Sequence, residues 1–498
     1  MRFPTLYQIN TRVALNELTG ALGRPATLED LPEALLEQIA GRGFSWLWLM
    51  GIWQTGPLGR EISRHDPRVL ASLERDLPGF RVEDISGSPF AVQAYDVHRE
   101  FGDDRALARL RDRLARRGIR LLLDFVPNHV ACDHPWVFDR PEYFIHGSAN
   151  DLARSPQNYA RVPTRDGPRI MAHGRDPNFD GWSDTLQLNH CHPGLREAQL
   201  GVLGRIAGRC DGVRCDMAML LEPSVIQGTW GDRARPIDGT PATYAPFWTE
   251  AIAAIRRQHA DFLFVAEAYW NLEWTLQEQG FDFTTDKPLY DRLRAGAAGP
   301  VRELLQATPA FRDRSLRFIE NHDEPRAAAL FAAAMHRAAA VVALFAPGLR
   351  LVHDGQIEGR RVHGSIHLAR REAEAPDDGL RAFYDRLLAA LARPEAHEGR
   401  WNLWRCRPAW DGNPTWDQFI VSTWDRDKTC LLVVVNYGPS QAQCTVPIGL
   451  SDLRGGRWML VDLMSETRYE CEGDELAGPG LILDLPGWGY QIFALHPV

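Results

Sequence analysis

Short apolar runs alternate with longer stretches of helical periodicity through the first three quarters of the chain. Strands are predicted at TLYQINTRV (5–13), FSWLWLMG (44–51), IRLLLDFVP (119–127) and DGVRCDM (211–217). Further strands are predicted at DFLFVAEA (261–268), within FDFTTDKPL (281–289), and at SLRFIENHD (315–323) and LRLVHDGQ (349–356). Between them, apolar residues recur at three- and four-residue steps in 29–43, 105–118, 192–209, 245–259 and 301–311, the spacing of amphipathic helices. Strands alternating with helices indicate βα units on a parallel sheet. About eight such units predict a closed (β/α)8 TIM barrel over 1–132 and 184–394. No Gly-rich dinucleotide or phosphate-loop fingerprint follows the first strand to argue for an open sheet.

Two regions break the rhythm. Residues 133–183 are rich in Pro, Gly, Asp and Asn, with little helical periodicity. A connection this long is usually functional or a small subdomain, so an insertion after the third strand, lying over the cleft, is expected. Beyond the helix at 379–394 the pattern turns to short strands separated by turn residues, at 416–425, 430–438, 442–448, 456–464 and 489–497. Residues 395–498 therefore read as a C-terminal all-β sandwich.

Composition narrows the class. The 498 residues are 45% hydrophobic and 24% charged, ordinary for a globular protein, and the net charge of −9 gives no encouragement to a nucleic-acid partner. The Arg-rich stretch 105–118 reads as the solvated face of a helix. The most apolar segment, 327–348, is interrupted by His336 and Arg337 and predicts a buried helix, not a membrane span. Eight scattered cysteines without a CxxC pair, and an N-terminus without an apolar leader, set a cytoplasmic enzyme with free thiols as the expectation.

Four polar clusters fall at the C-terminal ends of predicted barrel strands, where a barrel gathers its chemistry: Asp124 with Asn128-His129, Arg214 with Asp216, Glu267, and Asn321-His322-Asp323. A lone Asp after a strand is more often a cap or turn former, but each of these runs ends in a group costly to bury without purpose. Glycosidic cleavage needs one carboxyl to protonate the leaving oxygen and a second to attack the anomeric carbon or activate water. Asp216 and Glu267 fit if they face each other across the barrel mouth. Arg214, two residues before Asp216, would share its face and hold it ionised. Apolar neighbours of Glu267 would raise its pKa towards that of a usable acid.

Neither His129 nor His322 belongs to an HExxH or Cys/His cluster, so zinc is disfavoured. A structural calcium near Asn128 is a candidate, since the Asp-rich insertion offers hard oxygen ligands; no cofactor is required for the chemistry. Among the 16 tryptophans, Trp46 and Trp48 read as packing, while Trp53, Trp230, Trp270 and Trp274 lie at or beyond strand ends as candidate sugar platforms.

These stretches resemble the alpha-amylase superfamily, glycoside hydrolase family 13. DFVPNH (124–129), GVRCDM (212–217), VAEAYW (265–270) and FIENHDE (318–324) are similar to its conserved segments in order and spacing. The resemblance implies Asp216 as nucleophile, Glu267 as acid/base and Asp323 as transition-state stabiliser. It also implies that Asp124, His129, Arg214 and His322 support the sugar, with Phe90 and Trp270 as aromatic contacts. An alpha-glucan or oligosaccharide substrate and retention at the anomeric carbon follow from the same likeness. Met219 and Leu220 replace the Lys-His that many amylases carry after the nucleophile. AEAYW and GFDFTTDKPLYDRL look closer to branches that include maltosyl- and glucosyl-transferring enzymes. The expectation is hydrolysis of alpha-1,4 links in malto-oligosaccharides, with transglycosylation as the alternative and a noncatalytic sugar-binding protein as the reading from another class.

Overall fold

A computed structural model describes residues 2–427, 429–450 and 453–498. Eight parallel strands close into a barrel in which each neighbours the next in sequence and the last returns to the first. They are β1 (Thr5–Asn10), β2 (Trp46–Met50), β3 (Arg120–Phe125), β4 (Gly212–Cys215), β5 (Leu263–Ala266), β6 (Phe283–Thr285), β7 (Ser315–Arg317) and β8 (Leu349–His353). Helices such as Asp104–Ala115, Pro193–Ala207 and Phe247–Arg256 return the chain between them, burying the apolar stripe that their spacing predicts.

Several elements differ from the sequence expectation. The first strand stops at Asn10, whose side chain accepts from the Val13 amide and caps a helix over Thr11–Leu22, so TRV is helical. The stretch 301–311 divides into helices Ala298–Leu305 and Pro309–Arg312, because Pro309 cannot continue a helix through Thr308. Strands β6 and β7 are only three residues long. The long apolar segment becomes helix Ala333–Phe345, with Ala338–Phe345 buried throughout. Among the described residues no helix is long and apolar enough to cross a membrane, and all eight cysteines are free thiols.

The segment after β3 leaves the barrel through an antiparallel pair, His129–Ala131 with Thr185–Gln187, and carries its own hairpin, Tyr159–Val162 with Arg169–Ala172. Val130, Phe144, Met171, Leu186 and Leu188 give it a separate apolar centre.

At the C-terminus a six-stranded antiparallel sheet packs on a three-stranded one, completing a β-sandwich. Thr429–Asn436 lies inside the larger sheet, and its residues alternate in destination. Leu431, Val433 and Val435 join the barrel core, whereas Leu432 and Val434 face the second sheet. Both faces of that strand are buried, which is why it reads as an unbroken apolar run.

Candidate active site

Strand alternation turns Arg214 and Asp216 to the same side of β4, into the barrel mouth. On the adjacent β5 the register pairs Cys215 with Ala266, and Glu267 follows as Asp216 does. The two carboxylates therefore stand side by side on neighbouring strands, not opposite one another across the mouth. The ladder continues one step past both strands: Asp216 N–H donates to the Phe125 carbonyl at 2.8 Å and Glu267 N–H to the Cys215 carbonyl at 3.0 Å.

One guanidinium binds both acids. Arg214 Nη1 lies 2.5 Å from Asp216 Oδ1 and Nη2 lies 2.7 Å from Glu267 Oε2. Glu267 accepts two more hydrogen bonds, from Met217 N–H (2.7 Å) and the Tyr269 hydroxyl (2.9 Å). Burial pushes both carboxyls above their ordinary pKa; Arg214 opposes this at each, while the Asp216 and Asp323 charges add to it at Glu267. Burial raises Glu267 as expected, but its immediate partners are a guanidinium, an amide and a hydroxyl in place of an apolar setting. Arg214, expected to hold Asp216 alone, divides its charge between the two.

Asp124, in register with Arg214 on β3, is fixed by the Gly51 amide at 2.7 Å and the Trp48 indole at 3.0 Å. Burial raises its pKa to about 6 against the pull of Arg214. Gly51 has φ of 75°, and a Cβ there would sit 2.6 Å from Pro89 Cβ, so only glycine presents this amide without strain. The loop beyond β7 is turned by Asn321, whose Oδ1 accepts from the amides of Asp323 and Glu324, presenting His322 and Asp323 to the mouth.

Burial drops His322 well below the usual histidine range and His129 to about 4, so both rings are neutral. Gln8 Nε2 donates to His322 Nδ1 at 2.8 Å, which leaves the ring proton on Nε2. That nitrogen is buried without a hydrogen-bond partner, 3.1 Å from Asp323 Oδ2 but off a bonding direction. It is a donor held ready for a hydroxyl.

These groups line one cavity of about 520 Å³, together with Phe90, Asp176, Phe179, Trp182, Asp184, Trp270 and Ile366. Asp216, Glu267, Asp323, His129, Arg214, His322, Phe90 and Trp270 thus all meet there, while Asp124 stands behind Arg214. Phe90 lies 5.6 Å from the His322 ring, and the Arg214 guanidinium is 5.2 Å from the Phe90 ring. Of the other tryptophans proposed as platforms, Trp53 is fully buried with its indole on the Asp124 carbonyl, and Trp230 is buried beneath Arg175. Trp274 is exposed but stands against Phe311, not on this cavity.

Trp48, Gln8, Tyr269 and Met217 are site residues that sequence reasoning passed over. Gln8 had a signal, a polar side chain at an inward position of an apolar strand. Trp48 had none, since an indole donor looks the same as a packing residue until its partner is known.

Asn128, the candidate calcium ligand, is held in an amide pair. Its Oδ1 accepts from Gln187 Nε2 at 2.9 Å and its Nδ2 donates to Gln187 Oε1 at 3.2 Å, a buried reciprocal amide pair. Among the described residues no group of three or more His, Cys, Asp or Glu is placed to hold a metal.

Comparison with known proteins agrees with this geometry. Residues 90–378 match the model of the alpha amylase catalytic domain. An alpha-1,4-glucan:maltose-1-phosphate maltosyltransferase from Rhodospirillum rubrum is 25% identical over 295 residues, covering 58% of this chain and 35% of that protein. An alpha-amylase from Haloarcula japonica is 23% identical over 377 residues, covering 73% of this chain and 50% of its own. The chain thus spans about a third to a half of the length of these curated relatives. A noncanonic maltogenic alpha-amylase from Thermotoga neapolitana shares the fold across 99% of both chains, with a TM-score of 0.70 at 17% identity. The matched catalytic domain and the barrel built around these carboxylates lead to one assignment: the chain belongs to the alpha-amylase family.

Proposed function

We propose that the protein is a retaining alpha-glycoside hydrolase that cleaves alpha-1,4 links in malto-oligosaccharides through a covalent glycosyl-enzyme. The observation that carries this reading is the placement of Asp216 and Glu267 in register on adjacent strands, bridged by one guanidinium. Neighbouring strands lie about 4.8 Å apart. That spacing supports the short separation, about 5–5.5 Å, of double displacement over the roughly 6.5–9.5 Å that leaves room for an attacking water. Asp216 attacks the anomeric carbon as Glu267 gives its proton to the departing oxygen. Glu267, now a base, takes a proton from water, whose oxygen displaces Asp216 and restores the alpha configuration. Asp323 and His322 Nε2 bind ring hydroxyls, and Phe90 supports the apolar face of the sugar.

Cleft electrostatics favour a neutral donor. The cavity is lined by four carboxylates, at Asp176, Asp184, Asp216 and Asp323, and by the acid Glu267, against the single guanidinium of Arg214, which is already paired. A glycosyl phosphate would enter against that field. Transglycosylation with a sugar acceptor is the second reading. It draws on Phe179 and Trp270, 71% and 39% exposed at the cavity, as aromatic surfaces for an acceptor ring, and on relatives named as maltosyltransferases.

The test is a timed product analysis with maltoheptaose, native protein against Glu267→Gln. Progressive shortening, slowed at least about 10²-fold in the variant, is expected. Products longer than the starting sugar would move the assignment to transfer, and no reaction with any malto-oligosaccharide would overturn both.

A further inference from the structure

The end of the barrel opposite the catalytic mouth carries a cavity of about 530 Å³. Its walls are the starts of the strands: Pro4 before β1, Trp46 opening β2, Arg120 opening β3, Leu263 opening β5, Phe283 opening β6 and Arg314 before β7. A parallel barrel gathers all its strand starts at one end, so the length of the strands separates this cavity from the cleft of Asp216 and Glu267. Phe3, Pro4, Trp46 and Phe283 are buried and make an apolar floor. Arg2, Arg120, Pro309 and Ala310 are exposed around it, so the cavity reaches solvent.

The charges here run against those of the molecule. The chain as a whole carries −9, yet three guanidiniums, of Arg2, Arg120 and Arg314, line this cavity. The two acids beside them are already engaged. Asp282 accepts from Arg256 at 2.7 Å and from the Phe264 amide at 2.8 Å, and Asp313 accepts from Arg2 at 2.6 Å. Among the described residues Arg120 and Arg314 donate to carbonyls and not to a carboxylate. Arg120 donates to Asp261 at 2.6 Å, and Arg314 to Gln277 at 2.7 Å and to Phe281. A guanidinium has five N–H donors, so each keeps several unspent. The Arg120 guanidinium lies 4.4 Å from the Trp46 ring, and that contact holds its plane in the cavity wall. Burial draws Arg314 below its ordinary pKa; Asp282 opposes this and Arg256 adds to it, so a further negative charge beside Arg314 would be favourable.

We propose that this cavity binds a phosphate monoester of a small organic molecule. Two guanidinium forks with unspent donors match the oxygens of a phosphate, which carries about −1.5 to −2 charges at pH 7. A carboxylate would bring one charge and two oxygens to the same two forks. The apolar floor takes the organic part of the ester. A bare oxyanion would leave that floor unused, in a cavity whose volume lies within the roughly 300–1,000 Å³ of small-molecule sites. The catalytic cleft is lined by acids and repels the same group, so the two ends of the barrel select opposite ligands. This site goes beyond the reaction proposed for the cleft and does not depend on it.

Calorimetric titration of the native chain with phenyl phosphate tests this. A dissociation constant below about 1 mM is expected. Inorganic phosphate, lacking a body for the floor, should bind at least about fivefold more weakly. Arg120→Gln removes one fork at an exposed position, and Ala310→Glu places a negative charge on the rim while leaving every arginine in place. Each should weaken binding of phenyl phosphate on the order of tenfold. An unchanged melting temperature of the unliganded variant shows that it still folds. The two substitutions touch different groups, so a variant that melts low leaves the other to decide. Native affinity in a folded variant, or no binding at millimolar ligand, overturns the site; equal affinity for inorganic phosphate overturns the assignment of an ester.

Discussion

Glu267 has to hold a proton and then release it, and its three donors set how easily it does so. Arg214, the Met217 amide and the Tyr269 hydroxyl all stabilise its ionised form, against burial and two neighbouring carboxylates. Tyr269→Phe removes one donor to the charged form, so the Glu267 pKa rises. Because the acid is lost as pH climbs through that pKa, the basic limb of kcat/KM should move to higher pH, by about one unit. An unshifted limb would mean that another group sets it. Met217 holds its amide in place at a φ of 44°, a left-handed conformation costly for a side chain and typical of strain kept at a working site. Asp184 bears on stability. Its Oδ2 is buried without a partner, and burial raises its pKa to about 6. A carboxyl raised in the folded state destabilises once ionised, so the penalty is absent below about pH 4 and complete above about pH 6. Asp184→Asn should therefore melt higher than native protein at pH 7.5, by on the order of 2 kcal/mol, with the advantage vanishing near pH 4. Equal gain at both pH values would exclude the charge as its cause.

At the scale of elements, the site depends on strand ends and the turns that follow them. Asp216 and Glu267 meet because β4 and β5 pair in register, a relation between segments about fifty residues apart that no local pattern encodes. Strand β7 lasts three residues, and the rest of SLRFIENHD is a loop shaped by the Asn321 side chain. Apolar residues ran on through that stretch because they are buried under the mouth, not because the backbone is extended. The turn after β2 shows the same dependence. Gly51→Ala would place a methyl against Pro89 at a φ of 75° and draw the amide away from Asp124. It should cost about 1–3 kcal/mol of stability. A lower kcat/KM beyond the stability loss would show that the Gly51–Asp124 contact positions Arg214; unchanged stability and activity would refute the clash.

For the whole molecule, barrel and sandwich share a core. Trp424 is fully buried at their junction, with its indole on the Phe345 carbonyl at 2.9 Å, its ring against Phe3 at 5.1 Å, and Arg350 at 5.2 Å. Trp424→Ala should destabilise the protein by about 3–5 kcal/mol, and the loss should appear in the melting of the barrel as well as the sandwich. Calorimetry resolving an unaffected barrel transition would show the two to be energetically independent.

The periodicity of apolar positions was enough to predict the barrel, the insertion and the terminal sheets, because burial of one helix stripe or strand face leaves a local mark on the residues that do it. The carboxylates were legible for a related reason: a charge at the end of an apolar run is too costly to place there idly. Tertiary structure alone decided which of these groups touch. It set Asp216 beside Glu267, divided Arg214 between them, used Trp48 as a donor, and paired Asn128 with Gln187. Hydrogen bonds and ion pairs join residues by distance in space, and closure of the barrel brings together strand ends that lie hundreds of positions apart along the chain.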